Sequence, residues 1–509
     1  MPRAKSGSNG PVKTAFAPYR RLEQRARQIA FISSASELLS WDLETYMPPK
    51  GLSFRAEQLA YLSGQAHRLW TAKAVGGWIA ACEQHEFPAD SPEGANVREW
   101  RRAYDRATKL PPALVEEIER TRTVAREAWR EARQRSEFGL FQPHLEKLLD
   151  LNRQKAERLG FEESPYDALL DGYEPGTRAS QLQALFAELR PAIGAILGPA
   201  LERSAAVPKD LLEGDYPIPA QQAFNREVAQ ALGFDFQAGR IDTTTHPFCA
   251  TTGASDCRLT TRYRESDFTQ SLYGIMHETG HGLYEQGLPP ERFGTPLGSA
   301  ASLGIHESQS RLWENHVGRS AAFWEHWHPV ACRHFPELKA LTPAQLSAAA
   351  NRVSPSFIRV EADQVTYDLH IILRFEVEVN LLEGRLKVAD LPAYWNEAFE
   401  KMLGLKITKD ADGCLQDIHW SLGDLGYFPT YTLGNLNAAQ LMVHAQAECP
   451  GLEAALARGE YAPLLGWLRD KVHRHGLRYP PRELMRLATG EPTNASYHLQ
   501  CLRRKFAEP

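Results

Sequence analysis

The chain of 509 residues lacks any uninterrupted apolar run close to the ~18 residues that a bilayer-spanning helix needs. Its opening stretch, MPRAKSGSNGPVKTAF, lacks the apolar centre of a signal peptide. There is no long lysine or arginine run either. With 58 Lys+Arg against 63 Asp+Glu and a formal charge of −5, the basic face that neutralises nucleic-acid phosphates is missing. Cysteine is sparse, seven residues with no C-x-x-C pair, in a chain long enough to bury a core without staples. Free thiols, a reducing compartment and a cytoplasmic protein are the expectation, with neither membrane nor nucleic acid as partner. A phosphate-binding loop and a GxSxG nucleophile elbow are also missing, which argues against nucleotide cofactors and that class of serine hydrolase.

What is present is helical periodicity with short Pro/Gly punctuation. After Leu110-Pro111-Pro112, the residues Leu114, Ile118, Ala125 and Trp129 share one face while Glu and Arg occupy most of the rest, the pattern of an amphipathic helix with a solvated side. Residues 206–222, with Pro208, Pro217 and Pro219, read as a connector. Only about 240–264 reads as sheet. There a Thr-rich stretch from Ile241, a Gly253-Ala254-Ser255 turn and Cys257 to Tyr263 suggest a small antiparallel hairpin or meander. The fold class expected is mostly α, with one small antiparallel β-sheet. Length alone suggests about three domains.

The chemical signal is His277-Glu278-Thr-Gly-His281. A helix that Ser266 can cap and that Gly287 and Pro289 can end places His277 and His281 on one face, four residues apart, where two imidazoles can hold one Zn²⁺ with Glu278 beside it. Chance produces this pattern fewer than roughly 0.07 times in a chain of such composition, so it needs context. A catalytic zinc takes three protein ligands and leaves a position for water. Glu307 is the candidate third ligand, in a helical pattern from Leu303 to Val317. Neighbouring His306 points about 100° away, as a supporting or packing residue. Gly298 and Gly304, with small residues between them, are expected to let this helix approach the first.

Further motifs occur in order along the chain: His246-Pro-Phe248, Asp256-Cys-Arg258-Leu-Thr260, the HExxH segment, His306-Glu307-Ser308, Ile358-Arg359-Val-Glu-Ala362-Asp363, and Gly413-Cys-Leu-Gln416-Asp417-Ile-His419-Trp420. Together with segments at Trp41–Pro49 and Ala488–Pro492, they make the chain resemble the carboxypeptidase Taq family of zinc metallocarboxypeptidases over nearly its whole length. The resemblance implies a large helical zincin with a deep groove, similar to the thimet-oligopeptidase and angiotensin-converting-enzyme type of fold, assembled as a homodimer. It implies removal of single C-terminal amino acids from peptides with broad specificity, poor action on C-terminal proline, and zinc as cofactor with cobalt able to support activity. Motifs spread from Trp41 to Glu491 favour one catalytic body over residues 14–509, preceded by a mobile segment 1–13.

The roles follow the same order. His277, His281 and Glu307 bind the metal and Glu278 moves the proton. By resemblance Arg359 receives the peptide's free carboxylate; by spacing alone it is a surface arginine paired with Glu361 or Asp363. Also by resemblance, Tyr431, with His419 and Tyr427 in support, stabilises the oxyanion or the substrate. The two tyrosine roles are interchangeable, and aromatic packing is the alternative reading. His246, Asp256 and Arg258 read either as groove residues holding an extended peptide or, for the last two, as a structural ion pair. Gln416 and Asp417 are expected at the groove's distal end. An endo-oligopeptidase or dipeptidyl carboxypeptidase could be built on the same metal site. A non-catalytic peptide-binding scaffold conflicts with the intact ligands and Glu278.

Overall fold

A computed structural model describes residues 16–508 apart from His246; the expected mobile segment 1–13 lies outside them. Helices dominate. The helix expected after Leu110 runs Pro112–Arg135 and buries Leu114, Ala125 and Trp129. The connector is shorter than expected, because Pro217 caps a helix that begins at Ile218 and takes Pro219 into its first turn. The N-terminal helices α1 (Ala17–Thr45) and α2 (Leu52–Trp70) pack on each other, and no residue of α2 is buried. Ala179–Ala205 is long and apolar enough by composition to cross a membrane, yet Leu182, Phe186, Leu189, Ile193 and Ile196 form a buried stripe within the core.

The sheet has three strands, β1 (Gly239–Thr243), β2 (Cys249–Gly253) and β3 (Asp256–Thr261), in the order β1-β3-β2. The β2-β3 pair is the expected antiparallel hairpin, but β1 joins β3 in parallel, so the sheet is mixed rather than antiparallel throughout. The stretch from Ile241 to Thr252 is two strands because Pro247 has no N–H to continue a ladder. The end of α1 docks on this sheet: the Tyr46 hydroxyl donates to Asp242 over 2.6 Å, and Arg258 lies 4.3 Å over the Trp41 ring.

Two large apolar cores flank the centre. One gathers Phe138–Leu159, Ala179–Ala205 and α5 (Tyr367–Leu382); the other gathers α3 (Phe268–Glu285), Ala321–His334 and Ala462–Lys471. Helix α6 (Pro429–Glu448) belongs to both, giving Leu433 and Leu436 to the first and Ala438, Leu441 and Ala445 to the second. It is buried nearly all round, and its Thr432, Asn435, Asn437 and Gln440 side chains are hydrogen-bonded inside the protein, as buried polar groups must be.

Between the cores α3, α4 (Leu303–Arg311) and α6 approach closely. The residues that permit this are not those expected. A Cβ on Gly298 would strike the backbone of Arg292, and one on Gly304 would meet Glu174 and Leu433, so neither faces α3. Gly280, inside the HExxH segment, does: its Cβ would lie 2.5 Å from the Gln309 carbonyl oxygen and 2.6 Å from Ser310 Cα. On the other side of α4, a Cβ at Gly434 would sit 2.4 Å from Glu307 Cγ. Glu307 is thus clamped between two helices at glycine. Gly280→Ala must push α4 away from α3, and it is expected to lower the denaturation midpoint by the equivalent of about 1–3 kcal/mol and to weaken metal binding with it; unchanged stability and metal affinity would contradict this packing.

Candidate metal centre and active site

Helix α3 starts one residue later than expected. Asp267, not Ser266, is the cap, its carboxylate accepting the Thr269 N–H over 2.9 Å, and the helix ends at Glu285. Phe268, Leu272, Ile275 and Leu283 are buried, which orients the opposite face of α3 toward α4. On it, His277 Nε2 and His281 Nε2 lie 3.5 and 3.4 Å from Glu307 Oε2. A tetrahedral ion with bonds of about 2.1 Å places neighbouring ligand atoms about 3.4 Å apart, so these donors fit one divalent cation of zinc's size and ligand preference. The three ligand atoms all lie within 4.8 Å of one another.

Each histidine is held from behind. His277 Nδ1 donates to Glu314 Oε2 over 3.0 Å. His281 Nδ1 donates to His306 Nδ1 over 2.5 Å, and His306 Nε2 donates to Glu285 over 2.8 Å. Both Nε2 lone pairs are therefore free for a metal. Glu314 stands on a π-helical turn, Leu312–Gly318, that continues α4; such turns re-aim side chains at functional sites. Arg311 Nε donates to Glu307 Oε1 over 2.7 Å and its Nη1 to Glu314 over 3.2 Å, binding the inner and outer carboxylates together. Burial works against both charges, but Arg311 and the histidines hold Glu307 well below the usual carboxylate range, and Arg311, His277 and Arg319 hold Glu314 at about 2. Both are ionised at neutral pH. Burial, with His306 behind it, lowers His281 to about 4, the neutral form that a metal ligand requires.

Glu278 differs from these carboxylates. It is 5% exposed, receives no hydrogen bond from any described residue, and burial raises it to about 7 in the metal-free chain. A carboxylate left uncommitted beside a metal site can take up and release a proton.

Arg359 is not the surface arginine that its spacing suggests, and it pairs with neither Glu361 nor Asp363. It is 5% exposed; Nε and Nη2 donate to Asp417 Oδ1 over 3.0 and 2.8 Å, and Nη1 donates to the Tyr367 hydroxyl over 2.9 Å. Arg374, wholly buried, donates to the other oxygen of Asp417 over 2.6 Å. Two guanidinium groups share one carboxylate, so the cluster keeps one positive charge in excess. Asp417 is the counter-ion of this cluster, not the groove-end residue expected. Gln416 is buried as well. Its Oε1 accepts the Arg359 N–H over 2.8 Å and its amide donates to the Phe357 carbonyl, so it braces the backbone that carries Arg359.

Tyr431, Tyr427 and His419 come together at the start of α6. The Tyr431 hydroxyl lies 3.4 Å from His419 Nε2, its ring is 5.4 Å from that of Tyr427, and Arg359 lies 4.8 Å over it. Burial raises Tyr427 to about 12 and Tyr431 well above its ordinary value, so both remain O–H donors at neutral pH. Burial, reinforced by the two arginines against the pull of Asp417, lowers His419 to about 4 and keeps it neutral.

Asp256 and Arg258 form the structural ion pair, at 2.8 Å, with Thr252 also donating to Asp256. They hydrogen-bond to no metal-site residue and instead join β3 to Trp41 of α1. His246 lies outside the described residues. The sequence reading missed Glu285, Arg311, Glu314 and Tyr367. Three of them carried a detectable signal: Glu285 lies four residues after His281, and Arg311 and Glu314 lie four and seven after Glu307, each one or two helical turns along the same face.

A family model described as carboxypeptidase Taq (M32) metallopeptidase matches residues 21–506. The chain is 44% identical to thermostable carboxypeptidase 1 of Thermus thermophilus over 505 residues, covering 97% of this chain and 99% of that one. It is 38% identical to carboxypeptidase 1 of Bacillus subtilis, covering 94% and 96%. The fold is similar to a crystal structure of the M32 carboxypeptidase of Deinococcus radiodurans, with a TM-score of 0.93 at 39% identity over 96% of this chain and 99% of that one. Metallocarboxypeptidase 1 of Trypanosoma cruzi also gives 0.93, at 35% identity over 96% and 99%.

The outer shell carries its own consequence. Glu314→Gln keeps the side chain's shape but removes the charge behind His277 and one partner of Arg311. Zinc affinity in a chelator competition is expected to fall about 10- to 100-fold; an unchanged affinity would show that Glu314 does not tune the site.

Proposed function

This chain belongs to the carboxypeptidase Taq (M32) family of metallopeptidases and is a carboxypeptidase that works with a divalent metal, and from that premise we propose that it uses zinc to release single C-terminal amino acids from peptides. The observation that carries this reading is the convergence of His277 Nε2 and His281 Nε2 on Glu307 Oε2, at 3.5 and 3.4 Å, with the uncommitted Glu278 beside them.

A zinc ion held there supplies a Lewis acid and lowers the pKa of water to about 7. Glu278 takes the proton of the attacking water and hands it to the departing amine nitrogen. Tyr431 donates to the scissile carbonyl oxygen as charge builds on it, with His419 and Tyr427 in support, and the two tyrosines can exchange that role. The peptide's free carboxylate is drawn to the excess positive charge that Arg359 shares with Arg374 and Asp417, a planar fork suited to a carboxylate. Side-chain specificity is broad, C-terminal proline is disfavoured, and cobalt can replace zinc.

The chain works in the cytoplasm as a homodimer. A helix pair with unburied apolar side chains supports the second part: α2 exposes Leu52, Phe54 and Tyr61 and α1 exposes Phe31, each more than half accessible, which is surface that a second copy can cover.

Two experiments test the reading. Incubated with a defined peptide, the zinc-loaded protein should yield a mass ladder losing one C-terminal residue at a time, and the C-terminally amidated peptide should remain intact. Internal cuts, two-residue steps or cleavage of the amide would count against carboxylate recognition. Glu278→Gln should keep its zinc while kcat falls by about 10²–10⁴; full turnover in that variant would mean that another group moves the proton.

A further inference from the structure

Seven cysteines play no part in the chemistry above, and five of them are isolated from one another. Cys249 and Cys257 are not. In the β2-β3 register Cys249 opposes Leu259 and Thr251 opposes Cys257, so the two cysteines are diagonal neighbours on one face of the hairpin. Their sulfurs lie 3.5 Å apart and are unbonded. That face packs on α3, the helix carrying the metal-binding histidines. Cys257 is 2% exposed, whereas Cys249 on the outer strand is only partly covered. Leu259, opposite Cys249 on the same face, packs so closely on α3 that a Cβ at Gly282, the residue after His281, would lie 3.0 Å from its Cδ2.

We propose that Cys249 and Cys257 are a reversible dithiol/disulfide pair through which peroxide slows the peptidase. The Cys249 sulfur attacks one oxygen of hydrogen peroxide; an S–O bond forms, the O–O bond breaks, and the first water leaves. The Cys257 sulfur then attacks the Cys249 sulfur; the S–S bond forms, the S–O bond breaks, and the second water leaves. The two thiols lose two electrons and two protons, and one peroxide becomes two waters. A dithiol reductant reverses the change by exchange.

The neighbouring Cys257 thiol and burial hold Cys249 well above the ordinary thiol range. Little thiolate is present at neutral pH, so the first attack is slow and the pair answers sustained oxidant rather than a brief pulse. The same property favours the disulfide once formed, because a basic thiolate is a poor leaving group in the reverse exchange. Bond formation shortens the sulfur separation from 3.5 Å to about 2.05 Å. The irregular pairing between Thr251 and Gly253 is where β2 can yield, and a shift of the hairpin passes through Leu259 to α3 beside His281. Misplacement of about 1 Å at a catalytic group can cost on the order of 100-fold in rate.

The loss of activity rests on the peptidase reading; disulfide formation does not. The test uses the full zinc-loaded chain, reduced, desalted and treated with hydrogen peroxide. Trypsin cutting after Arg240 and Arg258 releases both cysteines in one fragment. That fragment should lose two hydrogens and resist thiol alkylation, zinc content should hold, and turnover should fall about tenfold or more, with everything restored by dithiothreitol. Cys257→Ser should begin at full activity and should lack the dithiothreitol-reversible loss. The proposal is overturned if both thiols remain alkylatable, if the disulfide forms without loss of turnover, or if Cys257→Ser loses and regains activity as the parent does. No turnover before oxidation would instead sink the peptidase reading and leave the mass result standing.

Discussion

The Glu307 carboxylate is the point on which the rest of the centre depends. It is buried; its Oε2 faces two imidazole nitrogens and accepts from Ser310, while its Oε1 accepts from Arg311. A charge so far from water is tolerated only when it is paired and fully hydrogen-bonded. Arg311 meets most of that demand and in doing so ties Glu307 to Glu314, which orients His277. Two of the three ligands, Glu307 and His277, are thereby set by one ion-pair network, and its geometry survives only while glycine at 280 and 434 lets the flanking helices close on α4.

A second constraint lies at Asp417. One carboxylate between two buried guanidinium groups satisfies neither completely, and the surplus charge is what an incoming carboxylate would neutralise. Arg359 also lies over the Tyr431 ring, so the groups proposed to receive the carboxylate and to polarise the carbonyl share one cluster of side chains. Gln416 fixes the backbone from which Arg359 projects.

The mostly helical fold and the pairing of His277 and His281 with Glu278 beside them were legible because each is a local pattern: periodicity 3.6, two histidines one turn apart, a glutamate next to the first. What was not legible is tertiary. Arg359 has acids two and four residues away in Glu361 and Asp363, yet its partner is 58 positions along the chain. The parallel placement of β1 could not be read from a Thr-rich stretch, since strand order depends on where Pro247 turns the chain. Small residues before α4 suggested the site of close helix approach, while the working glycine sat inside the HExxH segment, where attention falls on the ligands. Family resemblance, confirmed by a match spanning residues 21–506, supplied the substrate-side roles proposed for residues that spacing left ambiguous.

A cation held by two imidazoles and a single clamped carboxylate cannot stay bound once that carboxylate is removed. Metal per chain, counted by elemental analysis after dialysis of the zinc-treated protein and of its Glu307→Ala variant, tests this most directly. One zinc in the parent and none in the variant is the predicted result; an empty parent, or a variant that keeps its zinc, would contradict it.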